Sequence, residues 1–465
     1  MSASRALEQI TKVASISDIK TDATSIATYG IDWTKDFKAR AAAVVFPKSA
    51  KEVQAIIEIC AKERVAIVPS GGRTGLAGGA VAQNGEIIVS LEKMGKISKP
   101  DTIGMTLEVE AGAITERVHE AAERAGLFFG LDLAAKGSSQ IGGNIATNAG
   151  GLKFIRYGGM REQVLGLEVV TGDGVIRDYC KVIRKNNVGY DLKQLFIGSE
   201  GTLGIITKAV IKLHQKPKNL RVMLASCSEF ASIPALLQVC NQKGLSLTAY
   251  EFFDAPSLDL VLTQQSQVRS PFSSRPNFCG LIEFESDAAN DAIAETVVEQ
   301  SVADGLVDDA FLSTSDKEFR DFWSLRELIS ESASKVGHVR KNDISVPIHR
   351  LRDFVPQLAS IVTAHGRGLQ IVIFGHIGDG NLHINYLAPK MIDVQDFHSK
   401  ARQCEERVFD EVAKLGGSIS AEHGIGLLKK KDLHRSVHSL DIAVMKQVKL
   451  LFDPHGIMNP GKIFD

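Results

Sequence analysis

The sequence contains no C-x-x-C pair among its six cysteines, which lie far apart along the chain. Neither a thiolate zinc site nor a disulfide framework is therefore expected, and scattered cysteines are typical of a reducing compartment. No apolar run approaches the roughly 18 residues that span a bilayer. The N-terminus lacks the apolar core of a signal peptide and the arginines of a transit peptide. We therefore expect a cytoplasmic protein without a transmembrane segment.

The chain also lacks an excess of charge of either sign. Its net charge is −1 over 465 residues, so no electrostatic argument favours nucleic acid or an anionic membrane as a partner. This length exceeds one ordinary domain, and we expect two or three. Glycine is abundant, with 41 glycines against 13 prolines. The glycines occur in clusters, which suggests that backbone lies close to a ligand.

The first glycine cluster, PSGGRTGLAGG, follows a predicted strand–helix–strand unit. Ser49 and Glu52 predict a capping box at the start of the helix. A dinucleotide fingerprint is excluded, because the glycines lack the G-x-G-x-x-G spacing and a strand, not a helix, follows them. A run of glycine amides with Ser70, Arg73 and Thr74 can hold a pyrophosphate instead. The alternative is a mobile surface loop.

Three other segments of the chain also contain clustered glycines. GIMNPGKI, residues 456–463, has the G-x-x-x-x-G-K frame of a phosphate-binding loop. It lacks the Ser or Thr that would bind magnesium, so a nucleoside triphosphatase is excluded. Two further clusters span residues 137–159 and 198–204. Small residues let the backbone approach closely, so these segments are suited to lining a flat ligand with amides and hydroxyls.

From about Arg221 the pattern changes to short apolar strands separated by helical stretches. This order predicts an antiparallel sheet covered by helices, which is an α+β domain. We place a boundary near Lys216 and a return to the first domain after SAEHGIG. The predicted domains are therefore residues 1–216, 217–420 and 421–465.

The segment FGHIGDGNLHIN predicts two strands joined by a Gly-Asp-Gly turn. The hairpin brings His376 towards His383, and because strand side chains alternate, His383 and Asn385 point the same way. Two surface histidines beside a turn are the alternative interpretation. A distant pair, Glu422 and His423, adds a carboxylate, and a set of two imidazoles and one carboxylate suits zinc with a coordination position left for substrate.

A second group of polar residues precedes the hairpin. Arg326 and Ser330 are four residues apart, so they share a face if the segment is one helix. Lys341 begins a strand-like stretch. A guanidinium, a hydroxyl and an ammonium that converge would bind a carboxylate well. The alternative is an ordinary solvated helix face.

The three glycine segments in this order, with LFDPHGIMNPGK near the end, resemble the flavin-binding domain of the vanillyl-alcohol oxidase superfamily. The resemblance implies an α+β fold with a two-part FAD-binding domain and an antiparallel-sheet substrate domain covered by helices. Non-covalent FAD is expected, because residues 69–80 and 137–151 lack the His or Cys that attaches FAD in some members. The cofactor-binding residues implied are Pro69, Ser70, Gly71, Gly72, Arg73, Thr74, Gly75, Leu76, Gly137, Ser138, Gly142, Gly143, Asn144, Thr147, Asn148, Gly150, Glu200, Gly204, Ile205 and Asn459.

GHIGDGNLHIN and SAEHGIG resemble the metal and catalytic motifs of the D-2-hydroxyacid dehydrogenase branch of that superfamily. By this resemblance His376, His383 and Glu422 bind a divalent metal, for which zinc is expected. His423 is the catalytic base, and Asn385 lies beside the substrate carboxylate. FWSLRELIS and RKNDISVP resemble the members that act on D-2-hydroxyglutarate, in which an Arg, a Thr and a Lys bind the distal carboxylate.

In this chain Arg326 and Lys341 match that pattern, and Ser330 replaces the Thr. The resemblance implies oxidation of D-2-hydroxyglutarate to 2-oxoglutarate by hydride transfer to flavin, with D-malate as a possible second substrate. An electron-transfer flavoprotein or a quinone would accept the electrons. The resemblance is also compatible with a homodimer. The alternatives are a D-lactate dehydrogenase, a glycolate oxidase flavin subunit, and a non-catalytic flavin-binding subunit that would not need the histidines and Glu422.

Overall fold

The computed structural model of the chain describes residues 2–13, 18–34 and 36–464. Contacts divide the chain into two compact units. The first unit contains residues up to 151, residues 157–216 and residues from 422 onward, and the second contains residues 152–156 and 217–421. None of the helices in the described part of the chain is long and apolar enough to cross a membrane.

The first unit begins with a small sheet and three helices, with bounds β1 Ile19–Lys20, β2 Ala43–Val45, β3 Ile67–Ser70, β4 Ile87–Ser90, α1 Ser2–Thr11, α2 Ala23–Tyr29 and α3 Ala50–Glu63. Strands β2, β4 and β3 are parallel neighbours in that order, and β1 pairs antiparallel with β2. Helix α3 begins as its capping motif predicts, because Ser49 Oγ accepts the N–H of Glu52. The Glu52 carboxylate accepts the N–H of Lys48. The predicted strand–helix–strand unit is therefore confirmed.

A second sheet of the first unit follows, with bounds β5 Thr106–Glu110, β6 Leu127–Phe128, β7 Val164–Thr171, β8 Ile176–Asp178, β9 Gly204–Lys212 and β10 His214–Gln215. Its four antiparallel strands have the order β5-β9-β7-β8, and β6 pairs separately with β10. The helices of this region are α4 Thr115–Arg124, α5 Ile141–Ala146 and α7 Met160–Gln163, with a 3-10 turn at Leu192–Leu195. Helix α6, Phe154–Tyr157, lies mostly within residues 152–156 of the second unit. One apolar core joins β5, β7, β9, α4 and α5 to α1 and α3.

The second unit is a seven-stranded antiparallel sheet with helices, as its strand pattern predicts. The strands are β11 Leu220–Cys227, β12 Leu247–Asp254, β13 Phe278–Glu285, β14 Asp309–Leu312, β15 Gly337–Ser345, β16 Gln370–His376 and β17 Asn381–Pro389. The sheet order is β14-β11-β13-β12-β16-β17-β15. The helices are α8 Ser232–Lys243, α9 Ala255–Gln264, α10 Ala288–Ala303, α11 Asp316–Glu327, α12 Ile329–Val336, α13 Leu351–His365 and α14 Val394–Lys414, with a 3-10 turn at Ile348–Arg350.

One face of this sheet carries both an apolar core and a row of polar residues. Residues that lie directly opposite on neighbouring strands share a face. Glu251 lies opposite His376, and Asn385 lies opposite both Val372 and Lys341. Apolar residues of the same face pack against helices α9, α11 and α12. The register therefore sets the polar residues of the central and edge strands side by side.

The chain ends in the first unit with a 3-10 turn at Lys430–Arg435 and helix α15 at Ser439–Phe452. Met458 forms a parallel bridge with Ile67 at the start of β3. Lys449 Nζ donates to the carbonyl oxygens of Thr202 and Met458. The C-terminal segment is thereby bound to the first glycine-loop strand and to the segment before β9.

Candidate active site

The three glycine segments of the first unit line one cavity. Strand β3 leads into the first segment, α5 carries the second, and β9 follows the third. Of the residues predicted to bind the cofactor, the following line the cavity: Pro69, Ser70, Gly71, Gly72, Arg73, Thr74, Gly75, Gly142, Gly143, Asn144, Thr147, Glu200, Gly204 and Ile205.

The cavity wall shows why glycine is needed and what it can hold. A Cβ on Gly72 would lie 2.1 Å from the carbonyl oxygen of Ser138, so the first two segments can approach only with glycine there. Gly143 opens onto the cavity, since a Cβ there would meet no described atom within 4 Å. Ser70 Oγ and Gln140 Oε1 line the cavity, are buried and have no hydrogen-bond partner among the described residues. Polar atoms without a partner, next to glycine backbone that a ligand can approach, are suited to binding FAD.

Six predicted cofactor residues stand outside the lining that the described residues form: Leu76, Gly137, Ser138, Asn148, Gly150 and Asn459. Asn459 Nδ2 donates to the carbonyl oxygens of Gly79 and Glu200. Asn148 Oδ1 accepts the N–H of Arg161. Asn148 and Asn459 therefore do not line the cavity but form hydrogen bonds that hold neighbouring segments in place.

Glu200 joins the third glycine segment to the segment that carries the predicted base. Its two carboxylate oxygens accept the N–H groups of Ile425 and Gly426, each at 2.8 Å. Burial raises the pKa of Glu200 to about 6. His423 lies two residues before Ile425, is half-buried and lines the same cavity. The predicted base is thus placed at the predicted flavin cavity.

Sequence reasoning missed two residues that support the first glycine segment. The Arg73 guanidinium lies 4.4 Å from the ring centroid of Tyr29, whose hydroxyl donates to Glu92. Asp32 Oδ2 accepts the N–H of Gly78 at 2.7 Å. These contacts join distant positions, and Asp32 and Gly78 are 46 residues apart. No local motif signals such pairs.

In the second unit the predicted hairpin is confirmed, with β16 and β17 paired and Gly380 at φ +79° in the turn. His383 lies opposite Phe374, two positions along the strand from His376, so both imidazoles project from one face. Their Nε2 atoms are 3.3 Å apart. A tetrahedral zinc with Zn–N distances of about 2.0–2.1 Å places two nitrogens about 3.4 Å apart. The pair therefore fits one metal ion.

Each histidine has a buried carboxylate behind it. His376 Nδ1 donates to Glu251 Oε1 at 2.5 Å, which leaves the lone pair on Nε2. His383 Nδ1 lies 3.8 Å from Asp343 Oδ1. Metal-binding histidines commonly have such carboxylates on the second ring nitrogen. Neither acid was singled out from the sequence, although Glu251 stands out as a carboxylate inside the apolar strand β12.

Arg326 is placed on this face but not as the sequence predicts. The helix that was expected to carry both Arg326 and Ser330 is interrupted at Leu328, whose ψ of 0° ends α11 before α12 begins. Arg326 and Ser330 therefore lie on two separate helices, and the condition of one continuous helix is not met. Arg326 is buried, with Nη2 2.7 Å from Glu251 Oε2 and its guanidinium 4.5 Å from the ring centroid of Phe374. Ser330 is half-buried in the first turn of α12.

Lys341 and Asn385 are direct neighbours on β15 and β17. Lys341 is half-buried and forms no ion pair with a carboxylate among the described residues, and burial lowers its pKa. Asn385 Nδ2 is buried without a hydrogen-bond partner in the same part of the chain. An unpaired ammonium and an unpaired amide, on the face that carries two imidazoles, fit an anionic ligand.

The structure thus brings His376, His383, Arg326, Lys341 and Asn385 to one face of the seven-stranded sheet. Glu422 and His423 belong to the first unit. The part of Glu422 in metal binding stays a prediction.

Comparisons with known proteins agree with both units. Residues 41–179 match the family model "FAD binding domain", and residues 216–463 match "FAD linked oxidases, C-terminal domain". The chain is 45% identical to D-2-hydroxyglutarate dehydrogenase of Stutzerimonas stutzeri (strain A1501), over 96% of each chain. It is 40% identical to the mitochondrial D-2-hydroxyglutarate dehydrogenase of Arabidopsis thaliana, over 95% of this chain and 78% of the relative.

Solved structures with the same fold are far more distant in sequence. A p-cresol methylhydroxylase with substrate bound has a TM-score of 0.80 at 16% identity, covering 100% of this chain and 97% of the other. A 4-ethylphenol oxidase from Gulosibacter chungangensis has a TM-score of 0.76 at 15% identity, covering 100% and 97%. These likenesses of fold, together with the two matched FAD-domain family models, confirm the predicted fold class. The chain belongs to the FAD-linked oxidase family, in the group of the D-2-hydroxyglutarate dehydrogenases.

Proposed function

We propose that this protein oxidises D-2-hydroxyglutarate to 2-oxoglutarate, with FAD as hydride acceptor and a divalent metal at the substrate. The observation that carries the proposal is the polar face of the seven-stranded sheet, where two converging imidazoles stand with an unpaired lysine. The names of relatives at 37–45% identity support the same substrate.

We assign metal binding to Nε2 of His376, Nε2 of His383 and the carboxylate of Glu422. Two neutral imidazoles and one carboxylate suit zinc and leave a coordination position for substrate oxygens. The hydrogen bond from His376 Nδ1 to Glu251 supports this assignment, because it fixes the tautomer that exposes the Nε2 lone pair. The metal, when bound, supplies a Lewis acid that lowers the pKa of the substrate 2-hydroxyl.

His423 is assigned as the base that takes the proton of the 2-hydroxyl on a ring nitrogen. FAD, when bound in the cavity of the first unit, supplies the acceptor for the C2 hydride. Loss of one hydride and one proton converts the 2-hydroxy acid to the 2-oxo acid. Glu200 assists by holding the backbone that follows His423 through two N–H groups.

Lys341 is assigned to the distal carboxylate of the substrate, together with Arg326 and Ser330, and Asn385 to a substrate carboxylate. An ammonium in a partly desolvated place gains more from an anion than one in water does. Holding both ends of the substrate fixes the direction of the C2–H bond. Lys341 is the best supported of these residues, because it has no carboxylate partner in the described structure.

The test is anaerobic bleaching of the flavin absorbance by D-2-hydroxyglutarate, D-malate, D-lactate and glycolate, with and without added zinc. We expect D-2-hydroxyglutarate to bleach fastest, D-malate more slowly, and the two monocarboxylates least. Purified protein without flavin absorbance, or with equal rates for mono- and dicarboxylates, would overturn the proposal. Full activity after EDTA treatment would overturn the metal part alone.

The acceptor, compartment and assembly complete the proposal. We propose an electron-transfer flavoprotein or a quinone as acceptor, tested by which of the two reoxidises the reduced flavin.

We propose a cytoplasmic protein, supported by six free cysteines, although several relatives carry mitochondrial names. We propose a homodimer, which light scattering would distinguish from a monomer.

A further inference from the structure

We propose that Glu251 is a positioning residue that holds the metal ligand His376 and the substrate arginine Arg326 with one carboxylate. The inference rests on the metal part of the proposed function and extends it to a residue outside the predicted site. Glu251 lies in the middle of β12, between Tyr250 and Phe252, and is completely buried.

The two oxygens of Glu251 serve different partners. Oε1 accepts a hydrogen bond from His376 Nδ1 at 2.5 Å. Oε2 lies 2.7 Å from Arg326 Nη2 in an ion pair whose side chains are 1% and 8% exposed. The sheet register places Glu251 directly opposite His376. A single buried carboxylate therefore contacts both the predicted metal ligand His376 and the predicted substrate residue Arg326.

The chemistry requires a carboxylate here and not an amide. Both partners are donors, and only a carboxylate offers an acceptor oxygen to each. A glutamine must turn its NH₂ towards one of them. If the NH₂ faces His376, the imidazole must move its proton to Nε2, and a protonated Nε2 cannot bind a metal. In either orientation the guanidinium loses its anionic partner, and if the NH₂ faces Arg326 the guanidinium also meets a donor instead of an acceptor.

A second buried acid of the same sheet offers the matched control. Glu283 on β13 lies opposite Ala249 and is 1% exposed. Its carboxylate accepts from Lys153 at 2.5 Å and from Trp323 Nε1 at 3.1 Å. Like Glu251 it is a buried, ion-paired carboxylate, but no histidine is among these partners. A loss of charge at Glu283 therefore reports the general cost of disturbing this core.

The experiment compares Glu251→Gln and Glu283→Gln as FAD-loaded full-length proteins. Zinc affinity is measured by competition with a chromophoric chelator, which does not depend on turnover. For Glu251→Gln we expect zinc affinity 10–100-fold weaker, the range found for outer-shell partners of metal-binding histidines, and a higher KM for D-2-hydroxyglutarate. For Glu283→Gln we expect zinc affinity within about twofold of the wild-type value.

A double-variant cycle separates positioning from general damage. If Glu251 acts through His376, adding Glu251→Gln to His376→Ala should not weaken zinc binding further. FAD content and Tm report folding of each variant. Should Glu251→Gln lose FAD, Glu251→Asp keeps the charge, but its shorter side chain cannot reach both partners, and the same loss of zinc affinity is expected of it.

Unchanged zinc affinity in a folded Glu251 variant would overturn the inference, as would an equal loss in Glu283→Gln. Additive losses in the double variant would overturn it as well. Absence of zinc binding by the wild-type protein would instead overturn the metal part of the proposed function, on which the inference depends. The two failures are therefore distinguishable.

Discussion

The Nε2 atoms of His376 and His383 lie 3.3 Å apart on paired strands of one hairpin. If this pair binds the metal, His376→Ala and His383→Ala should each weaken zinc binding by more than the roughly 10–100-fold expected for an outer-shell partner. Chelator competition on purified protein measures this. His398→Ala removes an exposed histidine of α14 as the control. Wild-type zinc affinity in both hairpin variants would contradict the assignment.

Lys341 is the group that should distinguish dicarboxylates from monocarboxylates. Lys341→Met keeps most of the apolar side chain and removes the charge. A hydrogen bond to a charged group contributes about 1.5–3 kcal/mol, so KM for D-2-hydroxyglutarate should rise by about 10–150-fold. D-lactate has no distal carboxylate, and its kcat/KM should change little. Lys335→Met, at an exposed lysine of α12 paired with Glu331, is the control. An equal loss for both substrates would refute the distal clamp.

The hairpin could be predicted because its signals are local. Alternating residues define the strands, a glycine-rich turn joins them, and the alternation alone fixes the common direction of His383 and Asn385. The glycine segments could also be predicted from the sequence, since small residues occur where two backbone segments lie close together, as Gly72 and Ser138 do. These inferences need only neighbours in sequence.

The supporting partners could not be predicted because they depend on strand order. Glu251 reaches His376 across 125 residues, and only the β12–β16 pairing brings them together. The break between α11 and α12 was missed for another reason. Leu328 is neither Gly nor Pro, so the residue types carry no breaker signal. Nothing in the residue types therefore warned that the one helix assumed for Arg326 and Ser330 is two helices in the structure.

Gly143 should control cofactor binding without disturbing the fold. It lies in helix α5, and a side chain there would enter the cavity. Gly143→Leu improves helix propensity by about 1 kcal/mol, so the protein should fold but bind little FAD. The ratio of flavin to protein absorbance measures this. Gly95→Leu is the control, because a Cβ at Gly95 would meet no described atom closer than 3.6 Å and Gly95 does not line the cavity. Full FAD content in Gly143→Leu would place the cofactor elsewhere.

His423 should affect the chemical step more than binding. General base catalysis contributes about 10²–10⁴-fold, so His423→Asn should lower kcat by that factor while FAD content stays near one per chain. Pre-steady-state bleaching of the flavin isolates this step. His434→Asn changes an exposed histidine of the nearby 3-10 turn and serves as control. A bleaching rate within tenfold of the wild-type rate would exclude His423 as the base.

Asp254 should make the stability of the second unit depend on pH. It begins α9, where its carboxylate accepts the N–H groups of Ser257 at 2.9 Å and of Ile373 at 3.1 Å. Burial raises the pKa of Asp254 from 3.8 to about 6. A raised folded-state pKa stabilises the folded protein below the unfolded pKa, and this stabilisation is lost as pH rises through about 6. At 1.36 kcal/mol per pKa unit the loss is about 3 kcal/mol.

Asp254→Asn removes the titration and retains one acceptor oxygen. At acid pH the variant is less stable than the wild type if the amide cannot accept from both backbone N–H groups. The free energy of unfolding of the variant should not decrease further between pH 4 and pH 7. The wild-type Tm should fall relative to that of the variant over this interval. Asp259→Asn, an exposed acid of α9 paired with Arg275, should instead follow the wild-type curve. Parallel Tm–pH curves for the wild type and Asp254→Asn would mean that Asp254 titrates with the same pKa in the folded and unfolded chains, so that its hydrogen bonds offset the cost of burying its charge.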